Sequence, residues 1–589
     1  MPDSITKAQE RAIKHHKGAC LCLAGPGSGK TFVITNRVVH MVRELQIPSE
    51  HILVITFTKA AAMEMEERFQ KILPDEHAWF GTFHSCFYYI LKNSYTSIPN
   101  RFISTEEKHR ILREIFDEVL GQEAEIAFED AERLLSLYMN NGLSMHHMPE
   151  FADMIPEQLR EIYCRYHMEL VENSYMDFDD LMLCTYQLLK ENAEVRARWQ
   201  KQFPFILIDE CQDMNVLQYE IIKLLTGADK NVFMVGDDDQ SIYRFRGARV
   251  ELMQRFIEEY KPVTQIHLDT NFRSTAGIVE SSRKVITQNK KRFAKKMQAH
   301  NPEKNGLEIE SFELRHDMHE KVFRELQKVT LCHLTEHAII YRTNQELRSM
   351  AYKLRQKGIP YISKEDQKSM FDEEWYLDVE AYIRLGLGSK ERQYILRVAN
   401  KPNRFIKREQ LLDVSKLPQI LDVAVKHIRT MRPYLAIKYI WSGIGYGRWL
   451  ERELDMDTEN WDMICEQLEE ITQEMKRFTS LEAWLEHVEE DRLRQKALQK
   501  PKSKEQTEGV HLLTMHASKG LEFESVYLLD VNKGKVPKGS KLSAEELEEE
   551  RRLFYVAMTR ARKHLNIYYV RGMKDHVLQP SVFLEPILK

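Results

Sequence analysis

Short apolar runs recur along this chain, and each is followed by a polar or helical stretch. The runs Ala19-Cys20-Leu21-Cys22-Leu23, Ile52–Phe57, Phe205–Ile208, Asn231–Val235, Thr264–Leu268, His337–Tyr341, Val510–Met515, Val526–Val531 and His564–Val570 read as strands. Near-continuous apolar strands that alternate with helical patterns predict parallel sheets covered on both faces. The runs form an early and a late group, which predicts two α/β cores. Residues 86–200 are rich in Leu, Glu, Met and Tyr and poor in Gly and Pro, and residues 366–505 are similar. Trp461–Val488 carries apolar residues at helical spacing. Both stretches read as helical insertions, and the charged segment Lys500–Gly509, with Pro501, reads as a linker back to the second core.

The length of 589 residues exceeds what one core can organise. An apolar fraction of 43% beside 30% charged residues suits a globular protein. No run approaches the ~20 apolar residues that span a bilayer, and the N-terminus lacks an apolar signal region. The expectation is a cytoplasmic protein with no membrane partner. The eight cysteines are scattered and form no CxxC pair, so they read as reduced core residues. A net charge of −5 argues against coating nucleic acid by charge alone. One stretch is basic, with Arg283, Lys284, Lys290, Lys291, Arg292, Lys295 and Lys296 and no acid over residues 281–300. It reads either as a solvated helix face or as a local groove. An acidic block, Glu545 to Glu550, stands elsewhere.

Chemistry concentrates after the first strand. Ala24-Gly25-Pro26-Gly27-Ser28-Gly29-Lys30-Thr31 joins that strand to a helix start. Such a turn exposes successive backbone N–H groups, and the helix adds its positive end, which together cradle phosphates. Lys30 would reach the β/γ-phosphates, and the Thr31 hydroxyl would ligate Mg²⁺. The strict pattern has glycine where Ala24 stands. Phe205–Ile208 then ends in Asp209 and Glu210, the first placed to hold Mg²⁺ and the second to polarise an attacking water. A third strand ends in Asp237-Asp238-Asp239-Gln240. Three consecutive acids repel, a cost that a divalent cation and phosphate clamp would relieve. Gln240 is placed to sense the γ-phosphate or water. Tyr243 and Phe245 interleave with Arg244 and Arg246, the pattern that stacks bases and holds the phosphates of a single strand, although a packed aromatic core produces it too.

With these residues in hand, the chain resembles the UvrD/PcrA/Rep family of superfamily 1 DNA helicases over nearly its whole length. The motifs occur in family order: Gln9 in ITKAQERAI, residues 55–68, Gly81-Thr82-Phe83-His84-Ser85, Asp177-Phe178-Asp179-Asp180-Leu181, Asp209–Asp213, residues 235–248, Leu268–Ser274, Tyr341–Asn344, residues 514–529 and residues 548–565. The resemblance implies two RecA-like P-loop cores with parallel sheets, each carrying a helical insertion. The first core would comprise residues 1–85 and 196–263, with insertion 86–195. The second would comprise 264–365 and 506–589, with a compact insertion 366–505.

The resemblance also assigns roles. Gln9 reads adenine, Phe272 stacks on it, Glu522 contacts the ribose, and Arg37 lies near the nucleotide. Arg273 and Arg560 act as fingers on transition-state charge. Phe57, Thr82, His84, Tyr243, Phe245, Arg246, Arg342, Asn344 and His516 lie near single-stranded DNA. The function implied is ATP-dependent 3′→5′ unwinding or translocation on single-stranded DNA and its junctions with duplex, in repair or replication, with ATP and Mg²⁺. A translocase that displaces bound proteins with little unwinding is the second reading. A monomer or a DNA-induced dimer is expected. The chain ends soon after the last motif, so no long C-terminal tail and no nuclease-type carboxylate cluster are expected.

Overall fold

The structure is a computed structural model that describes residues 5–95, 98–99, 101–121, 128–141, 156–363, 368–407, 418–453, 458–499, 508–539, 541–572 and 577–588. The chain divides into two compact units, Met1–Asn305 with Arg551–Thr559, and Gly306–Glu550 with Arg560–Lys589. No helix among the described residues is long and apolar enough to cross a membrane.

The strands of the first unit are β1 (Ala19–Ala24), β2 (Ile52–Thr56), β3 (Trp79–Thr82), β4 (Arg101–Phe102), β5 (Tyr175–Met176), β6 (Phe205–Ile208), β7 (Val232–Gly236), β8 (Val263–Leu268), β9 (Thr270–Thr275) and β10 (Gln298–Asn301). Six of them form a parallel sheet in the order β3-β2-β6-β7-β1-β8. Because β6, β7 and β1 are neighbours, the segments leaving their carboxyl ends meet at one edge of the sheet, where open parallel sheets bind ligands.

Strand alternation sorts the core. Ala19, Leu21 and Leu23 pack with the helical insertion, whose helices include Thr105–Leu120, Phe128–Asn140, Pro156–Glu172 and Phe178–Glu191. Cys20, Cys22 and Ala24 face the opposite way, onto Val33, Ile34, Val38 and Met41 of the helix Lys30–Arg43. The first insertion thus shares one continuous apolar core with the sheet.

The second unit contains β11 (Leu307–Phe312), β12 (His337–Tyr341), β13 (Tyr361–Ile362), β14 (Val510–Thr514), β15 (Phe523–Leu528) and β16 (Ala561–Val570). They form a second parallel sheet, β11-β16-β15-β12-β14-β13. The helices Arg315–Leu326 and Asn344–Gln356 cover it through Val322, Phe323, Leu347 and Met350. The helical insertion has its own aromatic core around Phe371, Trp375, Tyr376, Tyr382 and Trp484.

The α/β class with two parallel sheets and helical insertions is as the sequence predicts. One boundary differs. Thr264–Leu268 was expected to open the second core, yet β8 pairs along all of β1, from Ala19↔Val263 to Ala24↔Leu268. Ile266 and Leu268 join the core of Cys20 and Cys22, and the first unit runs on to Asn305. Most of the predicted linker, residues 500–507, lies outside the described residues. All eight cysteines are free thiols, but only Cys20, Cys22, Cys86 and Cys211 are the buried core residues expected, whereas Cys164 and Cys332 are exposed.

Candidate nucleotide site and nucleic-acid surface

The segment after β1 turns through two left-handed glycines, Gly27 at φ 66° and Gly29 at φ 84°, a backbone region costly for any residue with a Cβ. Gly27 has a second reason. A Cβ there would lie 2.6 Å from that of Arg273, because β9 is docked on the loop. Phe272 N–H donates to the Gly27 carbonyl at 2.8 Å, and Asn271 Nδ2 donates to the Pro26 carbonyl at 2.9 Å. Ser28 Oγ closes the turn onto the Gly25 carbonyl at 2.8 Å. Gly29 offers no side chain to cap the helix Lys30–Arg43, so its first N–H groups remain available to an anion. Thr31 is half-buried in the first turn.

Lys30 Nζ bonds to Glu210 Oε2 at 3.1 Å. Burial alone would lower its pKa, but Glu210, Asp237 and Asp209 outweigh that and hold it above the ordinary lysine value. Asp209 is buried, and its Oδ1 has no hydrogen-bond partner among the described residues. Burial, then the charge of Glu210, pushes its carboxyl up to about 7. Glu210 adopts φ 51°, ψ 39°, a left-handed conformation that costs a non-glycine residue roughly 1–2 kcal/mol. Such strain concentrates at functional sites.

A relay links these acids to the next strand. Gln212 Nε2 donates to Glu210 Oε2 at 2.6 Å, and its Oε1 accepts from Asp237 N–H at 2.9 Å. Asp237 Oδ2 accepts from Gln240 Nε2 at 2.6 Å. Gln212, which the sequence reading passed over, thus joins the water-polarising candidate Glu210 to Gln240, the candidate γ-phosphate sensor. Gly236 leaves room for it, since a Cβ there would sit 2.5 Å from Gln212 Oε1.

The triple acid corrects an expectation. A metal and phosphate were to offset the repulsion of Asp237, Asp238 and Asp239. Instead, Lys295 inserts its ammonium among all three, and Arg292 grips Asp239 through Nε at 2.9 Å and Nη2 at 2.6 Å. Phe293 N–H adds a bond to Asp238 at 2.7 Å. Two cations of the basic stretch, the buried Lys295 and the half-buried Arg292, are therefore partners of this cluster, so the stretch is neither a purely solvated face nor a purely open groove.

Gln9 sits at the loop. It caps its own helix with Thr6 and donates Nε2 to the Ser28 carbonyl at 3.0 Å. Arg37 does not match its expected place near the nucleotide. It lies two turns along the helix from Lys30, about 10 Å on at 1.5 Å per residue. Its guanidinium holds the carbonyls of Ala12, Ile13 and His15 and lies 4.4 Å over the Phe233 ring. Burial pulls its pKa down to about 10. It fastens the helix that carries Gln9. Phe272 packs near His300, with ring centroids 5.0 Å apart. Arg273 donates Nη1 to the Thr559 carbonyl at 3.3 Å. In the second unit, Arg560 is buried and donates to the Leu521 carbonyl at 3.1 Å, next to the exposed Glu522.

The expected nucleic-acid contacts divide by environment. Phe245 is 46% exposed, and Arg246 covers both Tyr243 and Phe245 at 5.3 and 5.4 Å, an open aromatic–cation surface. Phe57 packs edge-on to Phe83 at 5.2 Å. Thr82 commits its hydroxyl to capping the helix Phe83–Lys92. His84 meets Phe178 edge-on at 5.2 Å, and burial lowers its pKa. Phe178, named in sequence only as part of a motif, stacks on Phe102 at 4.8 Å, and both are exposed. Its signal was available: it falls off the buried face of its helix, which carries Leu181, Met182, Thr185 and Leu188. Arg342 is gripped by Glu550, with Nε at 3.1 Å and Nη2 at 2.5 Å, so part of its expected phosphate-binding fork is already taken. Asn344 is exposed at a helix start, and His516 is half-buried in the turn after β14.

Comparison with known proteins decides the family. The UvrD/REP helicase N-terminal domain matches residues 5–261, and the UvrD-like helicase C-terminal domain matches residues 266–429 and 414–572. The chain belongs to the UvrD/Rep helicase family. Enzymes of this family hydrolyse ATP. The chain is 31% identical to the ATP-dependent DNA helicase Rep of Escherichia coli (strain K12), over 97% of this chain and 92% of that protein. It is 30% identical to the putative ATP-dependent DNA helicase YjcD of Bacillus subtilis (strain 168), over 99% and 81%. For the ATP-dependent DNA helicase PcrA of Leuconostoc citreum the figures are 29%, 96% and 82%.

Proposed function

We propose that this UvrD/Rep-family chain is an ATP-driven motor that moves 3′→5′ along single-stranded DNA and separates duplex at junctions. The observation that carries the reading is the meeting of the glycine loop, Lys30, Asp209, Glu210 and Gln240 at the adjoining ends of β1, β6 and β7.

In this reading the loop N–H groups and Lys30 hold the triphosphate, and Gln9 reads the base. Lys30 leaves Glu210 for phosphate, which frees that carboxylate to orient water. Gln212 transmits the change to Asp237 and Gln240. Arg273 and Arg560 stabilise charge on the transferring phosphoryl group, and the assignment of Arg560 rests on its motif in the sequence. The buried, unpartnered Asp209 Oδ1 fits a divalent cation, which Asp209 and Thr31 would hold. Bound there, Mg²⁺ would neutralise phosphate charge. Tyr243, Phe245 and Arg246, with Phe178 and Phe102, supply faces for successive bases.

Strand displacement on 3′- and 5′-tailed duplexes, with ATP turnover measured alongside, tests the reading. The expected result is unwinding of the 3′-tailed substrate only, with both activities reduced at least about a hundredfold in Lys30→Ala. Normal DNA-dependent turnover by Lys30→Ala sinks it. Robust turnover without unwinding supports the protein-displacing translocase instead.

A further inference from the structure

Three elements of the first unit converge on a buried pair of amides. Asn215 follows the acidic turn Cys211–Asp213 and caps the helix Val216–Leu225, its Oδ1 accepting from Gln218 N–H at 2.8 Å. That leaves its Nδ2, which donates to Asn140 Oδ1 at 2.7 Å. Asn140 ends the insertion helix Phe128–Asn140. Its own Nδ2 donates to the Ser136 carbonyl at 2.8 Å and to Asp179 Oδ1 at 2.9 Å, while Ser136 Oγ holds Asp179 Oδ2 at 2.7 Å. The carboxylate of Asp179 fixes which way the Asn140 amide faces, since only its NH₂ end can donate there. The third element is the end of the aromatic segment. Gly247, directly after Arg246, rests on the pair: a Cβ there would lie 3.6 Å from that of Asn215 and 3.7 Å from that of Asn140. Arg249 N–H then donates to the Met214 carbonyl at 3.0 Å.

We infer that Asn140 and Asn215 are positioning residues through which DNA held on the aromatic segment, and on the insertion, bears on the strand-end acids Asp209 and Glu210. Both amides are less than a tenth exposed, and a buried amide is costly unless its partners are in place. The pair therefore locks one register among the insertion helix, the turn after Glu210 and the return at Gly247. A base pressing on Tyr243 or Phe245 pushes against a segment that is hydrogen-bonded to Met214, four residues after Glu210. The inference rests on the proposed DNA-stimulated hydrolysis.

Steady-state ATP turnover of the full chain, without DNA and with saturating oligo(dT), tests it, together with oligo(dT) affinity and the ATP KM. Asn140→Leu keeps the branched shape and removes both polar ends. Asn215→Ser keeps an oxygen for the helix cap and removes the amide NH₂ that donates to Asn140. In each, the ratio of DNA-stimulated to DNA-free kcat should fall at least about fivefold, while DNA-free kcat, ATP KM and DNA affinity stay within about twofold. Ser136→Ala leaves the Asn140–Asn215 bond in place and should keep the full ratio. A full ratio in both amide variants overturns the inference. So does an equal fall of stimulated and DNA-free turnover, or a Ser136→Ala loss as large as that of Asn140→Leu, because each marks a purely structural role. A wild-type chain that DNA does not stimulate overturns the proposed function itself.

Discussion

Asp209 and Asp530 occupy similar places in the two sheets. Each stands just past the carboxyl end of a strand, β6 or β15, and each is buried. In both, the chain bonds back to the neighbouring strand there, from Asp209 N–H to the Ile55 carbonyl and from Leu529 N–H to the Ile340 carbonyl. A left-handed non-glycine residue marks each spot, Glu210 at φ 51° and Asp530 at φ 54°. The surroundings then diverge. Arg315 Nε bonds Asp530 at 2.7 Å, and Lys535 lies 3.6 Å away. Burial would raise that carboxyl, but Arg315 and Lys535 hold it well below the usual range. Asp209 keeps an unpartnered oxygen beside a second acid, and its carboxyl rises to about 7. Similar strand-end geometry thus serves two ends. Where protein cations satisfy the acid it is structural, and where one oxygen has no partner among the described residues it suits the cation proposed above.

Stability offers the sharpest way to break this contrast. Arg315→Met would leave Asp530 buried with weaker compensation and should cost about 3–5 kcal/mol, read from urea unfolding midpoints. Asp209→Asn removes a charge the fold does not satisfy and should cost no stability in the ligand-free protein. Equal losses in the two variants would end the distinction.

A smaller effect is expected at the open aromatic surface. Phe245→Ala should weaken oligo(dT) binding by about 1–3 kcal/mol, measured by fluorescence anisotropy, with the ATP KM unchanged.

The smallest effect is the dependence on pH, and its sign differs between the two acids. The folded Asp209 carboxyl keeps its proton up to about 7, whereas the unfolded one loses it near ~4. Its contribution to stability therefore falls as pH rises between those values. Asp530, depressed when folded, contributes stability above ~4 that is lost as pH falls. In the proposed reading, a Mg²⁺–nucleotide complex is held by ionised Asp209, so calorimetry in buffers of different ionisation enthalpy should show release of about half a proton at pH 7, and fewer as pH rises. Proton release that does not change with pH would contradict the reading of Asp209.

Much of the candidate nucleotide site was legible because its chemistry is local in sequence. A glycine-rich loop between an apolar run and a helix start, and an apolar run ending in Asp209 and Glu210, carry their meaning within about ten residues each. Partners that arrive from elsewhere were not legible. The distance from Lys295 to Asp237 along the chain is 58 residues, and from Arg315 to Asp530 it is 215. Nothing in the basic stretch distinguished Arg292 and Lys295, which are paired with acids, from their exposed neighbours. Arg37 misled for the related reason that one guanidinium serves a phosphate or three carbonyls equally well.

The sequence by itself determined the family, the two α/β cores and the residues of the phosphate loop, because strand alternation and motif spacing are short-range properties. Tertiary structure alone decided that Val263–Leu268 completes the first sheet, that Lys295 and Arg292 neutralise the triple acid, and that Asp209 keeps an unpartnered oxygen. Desolvation and ion pairing set those outcomes. Both depend on which side chains the fold brings within a few ångströms, and spacing along the chain does not encode that.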